Sequence, residues 1–429
     1  MSRDFDVVVI GAGVIGATMA TLLGARRLAG AGRVALVAER TPSGAAMPPA
    51  ATAADDWDLR VFALSRASQR LLRLCGTWQR LPQARLFPYE RMCVWDASGT
   101  PAAAGSLTFD CAEIGEPNLG FIVEGRALTS ASLQSVSASG AVLIEGSVQS
   151  LRVDETRARI RLEDGRDLTA KLLVAADGTA SKSRELLGID TAGHAYHQNA
   201  LVAHVRTTEP HRGTAWQRFL PTGPLAFLPL PDGRSSIVWS VAAEDARRLR
   251  SLDAGEFAAA LEAASDRALG GIELTTSVAS FGLQLKVAVD YVRPRAVLVG
   301  DAGHAVHPLA GQGLNLGLLD CASLADALAP ARGDAELLGE PRLLRRYERW
   351  RKSENLLAAG TLDALERLFS SSNPLLRRLR GAGLGAVGRL PVLKRELALR
   401  ALGISGDVPA FLKTEEASAE ELPTWGAAD

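Results

Sequence analysis

AVLVGDAGHAVHPLAGQGLNLGLLD, residues 296–320, has the pattern of a short buried strand ending at Val299, a Gly300–Asp301 turn, and a loop punctuated by Pro308, Gly311 and Gly313 that enters an apolar helix. A carboxylate released at a strand end, followed by backbone amides at a helix start, is suited to holding a polar cofactor, because both present unspent hydrogen-bonding groups. Asp301 is placed to accept hydrogen bonds from a sugar-like polyol. The amides near Gly313, Leu314 and Asn315 face an electron-rich carbonyl or anion. A second glycine-rich turn lies nearly three hundred residues upstream, so a ligand touching both ends of the chain must be long.

That upstream turn is GAGVIG, residues 11–16. It follows FDVVVI (5–10), a strand apolar enough to be buried on both faces. An Ala/Leu-rich helix to about residue 28 comes next, then the strand RVALVAER (33–40). Gly11 permits the tight turn, Gly13 lets a pyrophosphate approach the backbone, and Gly16 allows close helix–strand packing. Glu39 stands 23 residues past the last glycine, where an acid binds adenosine ribose hydroxyls. A third strand, KLLVAADG (171–178), releases Asp177 before a glycine and leads into a helix carrying Arg184. Strands ending near Ile10, Ala176 and Val299 thus each deliver a Gly- or Asp-containing turn, as in a crevice at the carboxyl ends of an open sheet.

A chain of 429 residues exceeds one ordinary core, so two or more domains are expected. With 47% hydrophobic and 22% charged residues it has the composition of a globular protein. Its 48 basic and 48 acidic residues give no argument for nucleic acid. Cys75, Cys93, Cys111 and Cys321 form no CxxC pair, which suits reduced thiols in a cytoplasm. The amino-terminal run reads neither as a secretory signal nor as a membrane span. The histidines fall in two groups, His194 to His211 and His304 with His307. No Cys or acid completes a tetrahedral metal set, so no metal is expected. GxSxG, the nucleophile turn of a hydrolase, is absent.

Residues 41–58 are Pro/Ala-rich and read as a mobile surface loop. Arg60 follows, open to a surface ion pair or a cofactor-side contact, and Ser65 is an N-cap candidate for the next helix. Arg126 falls in the first turn of a helix after FIVEG, where a cation opposes the macrodipole and is better directed at a ligand or a carboxylate. Residues 141–178 show period-2 strands with an EDG hairpin turn. From 190 to 290 the strands lengthen into a second, mostly antiparallel sheet with Trp216, Phe219, Phe227 and Trp239, and residues 244–266 supply helices packed on it. After residue 320 the chain is helical. Residues 374–404 carry seven basic residues against one acid, which reads as a solvated helix face or as a docking face for anionic lipid.

GAGVIG with Glu39, the DG turn at Asp177 and GDAGHAVHPLAGQGLNLGLLD together resemble the FAD-dependent aromatic hydroxylases of the p-hydroxybenzoate hydroxylase superfamily. Within it, DLRVFALS (58–65), FIVEGRALT (121–129), AWQRFLPTGPLAFLPLP (215–231), SIVWS (236–240) and YERWRKSEN (347–355) resemble the ubiquinone-biosynthesis hydroxylases, over the chain to about residue 405. Departures are Gly125 and Ala180, where that family often has Asn. The resemblance implies an α/β fold: a Rossmann-like FAD-binding domain with a parallel sheet, an inserted and mostly antiparallel substrate domain, and a C-terminal helical region. The FAD domain would comprise 1–80, 111–190 and 285–340. The substrate domain would comprise 81–110 and 191–284, the helices 341–412, and a disordered tail 413–429.

By the same resemblance, Gly11, Gly13, Val14, Ile15 and Gly16, with Glu39 and Arg40, would hold the ADP half of FAD. Arg60, Arg126 and Asp177 would lie along the middle of the cofactor, with Asp301 on the ribityl chain and Arg184 near the cofactor or a reductant. Pro308, His307 and the amides of Gly311, Gln312, Gly313, Leu314 and Asn315 would line the ring, while Trp216, Phe219 and Phe227 would take a lipid tail. No catalytic acid or base is assigned, since the flavin carries the chemistry. The activity implied is hydroxylation of a polyprenylated phenol or benzoquinol by way of a flavin C4a-hydroperoxide. Molecular oxygen and NADPH or another reductase system would be co-reactants. The partners implied are a lipophilic aromatic substrate, a ubiquinone-biosynthesis assembly and the inner-membrane surface, reached from the cytoplasm through the basic C-terminal helices. Two alternatives are a hydroxylase of a small soluble aromatic and a non-catalytic FAD-binding assembly subunit. An NAD-dependent dehydrogenase is disfavoured because it has no need of the distant GD loop.

Overall fold

The computed structural model describes residues 3–25, 33–40, 57–101, 103, 106–306, 311–370 and 390–412. Loop residues 41–56, His307, Pro308, the basic stretch 374–389 and the tail from Lys413 lie outside them.

Three sheets build the α/β fold. In the first, β18 (Val292–Arg293), β19 (Ala296–Leu298), β11 (Asp167–Ala175), β1 (Arg3–Ile10), β2 (Val34–Ala38) and β8 (Val142–Glu145) lie side by side in that order. All pairs from β19 to β8 are parallel. Val7, Val8 and Val9 are fully buried, as expected of a strand apolar on both faces. β9 (Val148–Val153) and β10 (Ala158–Leu162) extend β11 as an antiparallel meander, closed by the Glu163–Gly165 turn. Helix α1 (Val14–Ala25) packs against α4 (Gly125–Ala138) and α8 (Gln312–Ala327).

A nine-stranded second sheet runs β20 (His304–Ala305), β17 (Ala279–Ala288), β12 (Thr191–Thr207), β15 (Ser235–Ala242), β14 (Gly223–Pro229), β13 (Thr214–Leu220), β5 (Arg91–Asp96) and β6 (Leu107–Asp110), with β16 (Ile272–Leu274) beside β12. It is antiparallel except where β13 meets β5. Helices α6 (Ala243–Arg250) and α7 (Ala254–Ser265) belong to it, and α7 opens on an Asp253–Glu256 capping box. The third sheet is β3 (Val61–Leu64), β7 (Gly120–Glu124) and β4 (Leu86–Tyr89). Helix α2 (Arg66–Leu74) starts where the Ser65 side chain accepts the Ser68 N–H, the capping expected from sequence. The short helices α3 (Cys111–Ile114) and α5 (Lys182–Leu186), the long α9 (Pro341–Ser370) and α10 (Pro391–Ala401) complete the described fold.

Candidate active site

β1, β11 and β19 are adjacent and parallel, so the turns that follow them emerge side by side. Gly11 takes φ +108°, and a Cβ there would sit 2.4 Å from the Ala176 carbonyl oxygen. On Gly16 it would sit 1.8 Å from the Gly11 oxygen, so that glycine serves packing and does not face the cavity. At Gly13 an added Cβ would meet no protein atom within 4 Å, and the same holds at Gly313. These two backbones are therefore open to a ligand on one side.

They open into a cavity of about 1850 Å³. Ligand pockets commonly occupy 300–1,000 Å³, so about 1850 Å³ has room for more than one small molecule. Gly11, Gly13, Val14, Ile15, Glu39, Arg40, Asp177 and Asp301 line it from the first sheet's side, and Arg60 and Arg126 from the third sheet and α4. Gly311, Gln312, Gly313, Leu314 and Asn315 supply the start of α8. The two ends of the chain thus meet at one cavity.

The opposite wall is the second sheet, and strand parity decides which side chains it shows. Gln217, Ala226, Val238 and Val202 pair across four strands and line the cavity. One residue along, Trp216, Phe227, Ile237 and Ala203 form the next row, of which Phe227, Ile237 and Ala203 do not line the cavity while Trp216, at the end of the row, still borders it. Phe227 accordingly packs in a core with Ile237, Trp239, Phe257 and Leu261, beneath α7 and away from the cavity. Phe219 shares Gln217's parity but stacks on Phe369 of α9 at 4.0 Å. Of the three aromatic residues expected around a lipid tail, only Trp216 borders the cavity, and its ring meets Trp95 edge-on at 6.2 Å. The wall itself mixes aliphatic residues (Val202, Ala226, Val238) with Gln217, Ser236 and Ser240.

An FAD binding domain family matches residues 137–355. The 3-demethoxyubiquinol 3-hydroxylase of Escherichia coli is 33% identical over 405 residues, covering 94% of this chain and 100% of that protein. The ubiquinone hydroxylase UbiL of Rhodospirillum rubrum is 37% identical, covering 93% of this chain and 89% of its own. The chain belongs to the ubiquinone-biosynthesis hydroxylases, FAD-dependent aromatic monooxygenases. The fold agrees: p-nitrophenol 4-monooxygenase PnpA from Pseudomonas putida superimposes with a TM-score of 0.72 at 18% identity, over 94% of this chain and 99% of that one.

Several polar side chains of this hydroxylase hold its loops. Arg184 is 2% exposed and donates to the Ala302 carbonyl at 2.9 Å and the Thr179 carbonyl at 3.2 Å, tying the DG and GD turns together without lining the cavity. Thr179 Oγ1 also reaches the Asp301 carboxylate at 3.3 Å. Asp177 accepts from the Ser183 N–H at 2.9 Å and from the Ser181 hydroxyl, so its carboxylate organises the start of α5. Asn315 accepts from Ser65 N–H (2.9 Å) and Ser68 Oγ (2.7 Å) and donates to the Ala63 carbonyl (2.9 Å). Its amide side chain pins α8 to the β3–α2 junction, leaving only backbone for a ligand. Ile15 wedges between Gly300 and Gly317, within 3.1 Å and 2.8 Å of where their Cβ atoms would be.

Arg126 was open to a ligand or a carboxylate, and a carboxylate takes it: Glu124, fully buried, lies 3.2 Å from Arg126 and 3.3 Å from Arg85, and accepts the Asp58 N–H at 2.9 Å. Neither Glu124 nor Arg85 stood out in the sequence. Their only signal was the acid two residues before Arg126. A second buried cluster lies behind the GD turn. Asp320 accepts from the Gly300 N–H (3.0 Å), Arg351 Nε (2.8 Å) and Asn355 Nδ2 (3.1 Å), and pairs with His304 Nε2 at 2.5 Å. Burial pushes this carboxyl up, but His304 and Arg351 outweigh burial and hold it at about 2. His304 therefore belongs to this cluster and not to the cavity lining. Among the described residues no group of His, Cys, Asp and Glu could hold a metal ion.

Proposed function

We propose that this hydroxylase oxidises the ring of a polyprenylated phenol or benzoquinol. The observation that carries the reading is the cavity shared by both ends of the chain: a glycine cradle and the start of α8 lie on one side, and the Ala226–Val238–Val202 wall on the other. The room at Gly13 fits a pyrophosphate against the α1 start, where backbone amides favour anions. Glu39 would take the adenosine ribose and Asp301 the ribityl hydroxyls. The amides at Gly313 and Leu314 would stabilise negative charge on the ring system. Bound FAD supplies the reductive activation of dioxygen and the transfer of one oxygen atom to the substrate, with NADPH or another reductase system as electron source. The chain's own part is to orient the phenol against that ring and exclude water, with Val202, Ala226 and Val238 as apolar surface and Gln217, Ser236 and Ser240 as polar contacts on the facing wall.

The name of the Escherichia coli relative supports a lipophilic quinol as substrate. The reading includes contact with a ubiquinone-biosynthesis assembly and with a membrane surface through the basic C-terminal segment. Among the described residues no helix is long and apolar enough to cross a membrane. The test has two parts. Purified protein should show flavin absorbance bands, and a deletion strain should accumulate a quinone precursor lacking one ring oxygen. A strain with an unchanged quinone profile, together with rapid turnover of a small soluble phenol by the purified protein, would reassign the substrate.

A further inference from the structure

Gln217 stands in the middle of β13 and lines the cavity, with Ala226, Val238 and Val202 beside it on the next three strands. It is 5% exposed, yet among the described residues its side-chain amide makes no hydrogen bond. A primary amide carries two donors and an acceptor oxygen, and withdrawing it from water is costly unless another polar group meets it. Ser236, two residues from Val238 on β15, repeats the pattern. It is fully buried, it lines the cavity, and its hydroxyl has no partner. The wall therefore presents unspent hydrogen-bonding groups to a space that the protein leaves open.

Charge narrows what can meet them. Arg218, the next residue along, turns to the other face and donates to the carbonyls of Ala264 and Ala97 at 3.0 Å and 3.1 Å. Among the described residues, no charged side chain of the second sheet lines the cavity. Its cations Arg40, Arg60, Arg126 and Lys182 all belong to the other walls. A ring carboxylate lying on Gln217 would be buried without a counter-charge, which disfavours it strongly. A ring hydroxyl is matched, because the amide can both donate to it and accept from it.

We propose that Gln217 determines specificity for the ring: its amide hydrogen-bonds an uncharged ring hydroxyl, and the wall around it rejects the same ring bearing a carboxylate. The inference rests on the prenylated-phenol reading for the identity of the ring. The test titrates the full-length, FAD-loaded protein with 2-prenylphenol, with prenylbenzene, which lacks the hydroxyl, and with 3-prenyl-4-hydroxybenzoate, following the flavin absorbance. A site built to bond a hydroxyl rejects the analogue without it, so wild type should bind the phenol at least tenfold tighter than prenylbenzene. It should also prefer the phenol at least tenfold over the ring acid. Gln217→Leu should bind the phenol no better than prenylbenzene, with FAD affinity unchanged, and should release more of the consumed dioxygen as hydrogen peroxide. Gln217→Arg should gain at least tenfold for the ring acid; if that variant fails to fold, Gln217→Leu decides. The proposal is overturned if Gln217→Leu binds the phenol like wild type or if wild type binds the ring acid as tightly as the phenol. A fall in FAD affinity with Gln217→Leu also overturns it, because the amide would then belong to the cofactor. Wild type that shows the expected affinities but oxidises no prenylated phenol would sink the substrate reading and leave the role of Gln217 standing. Wild type that binds no phenol overturns both.

Discussion

Asp320 accepts the backbone N–H of Gly300 at 3.0 Å, so the turn that presents Asp301 hangs from the helix that follows it. The same carboxylate neutralises Arg351, which is 1% exposed, and pairs with the fully buried His304. Removing one partner of a buried pair leaves the other charge stranded, at a cost of about 3–5 kcal/mol. Asp320→Asn should therefore lower the thermal midpoint and, because the turn loosens, reduce flavin occupancy after purification. Calorimetry and the ratio of flavin to protein absorbance measure both. The carboxyl titrates at about 2 in the fold against an ordinary 3.8, so its contribution is complete above pH 4 and drains away as the pH falls towards 2. The variant should lack that acid limb in urea unfolding.

Gly13 and Gly16 lie in one motif but should fail differently. A side chain at Gly13 meets no protein, only the space a pyrophosphate would fill, whereas one at Gly16 collides with the Gly11 carbonyl. Gly13→Val should keep the apoprotein's unfolding free energy within about 1 kcal/mol, since large losses need a named clash or cavity. It should weaken FAD binding at least tenfold in a fluorescence titration. Gly16→Ala should lower the stability of the apoprotein itself. Equal melting of the two apoproteins would contradict the division.

Asp301→Ala should lower FAD affinity about tenfold, or ~1.4 kcal/mol, the scale of a hydrogen bond to a charged group. Arg184→Ala should act on the same titration from outside the cavity, because it frees the carbonyls of Ala302 and Thr179. Arg184→Lys should not restore binding, since one ammonium cannot span both carbonyls as the planar fork does.

What the sequence revealed follows from the range of each interaction. GAGVIG, the DG turn and the GD loop are local patterns whose spacing carries their geometry, and the structure brings all three to one cavity. Glu124 with Arg85, and Asp320 with Arg351, are pairs between distant elements, and no spacing announces them. Of the three aromatic residues Trp216 borders the cavity, and Phe219 and Phe227 do not, for a simpler reason. Side-chain type alone does not place them, and the two-residue period of a strand puts Trp216 and Phe219 on opposite faces. Which of them meets the cavity depends on what packs on each face, α7 over Phe227 and Phe369 of α9 against Phe219, and that is tertiary information.

The sheet faces can be told apart kinetically. Phe227→Ala should cost about 3–5 kcal/mol of stability through the hole left beside Phe257 and Leu261, with KM for a prenylated phenol unchanged in whatever folds. Val238→Trp, on the cavity face, should raise KM while changing stability little, because the bulk enters open space. A KM effect confined to Phe227→Ala would reverse the assignment of the faces.

His204 supplies a pH dependence separate from that of Asp320. It is fully buried on β12, beside Ser236 and two residues from Val202 of the cavity wall. Burial, with Arg234 nearby, pushes its pKa from 6.5 down to about 4. The imidazole is thus neutral in the fold at pH 5, where the unfolded chain holds the proton. The unfolded state binds more protons between pH 6.5 and 4, so stability should fall as the pH drops through that window and gain no further slope from this group below it. A shift of this size corresponds to at most about 3 kcal/mol. His204→Leu removes the proton site, so its unfolding free energy in urea should decline less than wild type's between pH 7.5 and 4.5. Parallel declines in the two proteins would place the acid sensitivity elsewhere.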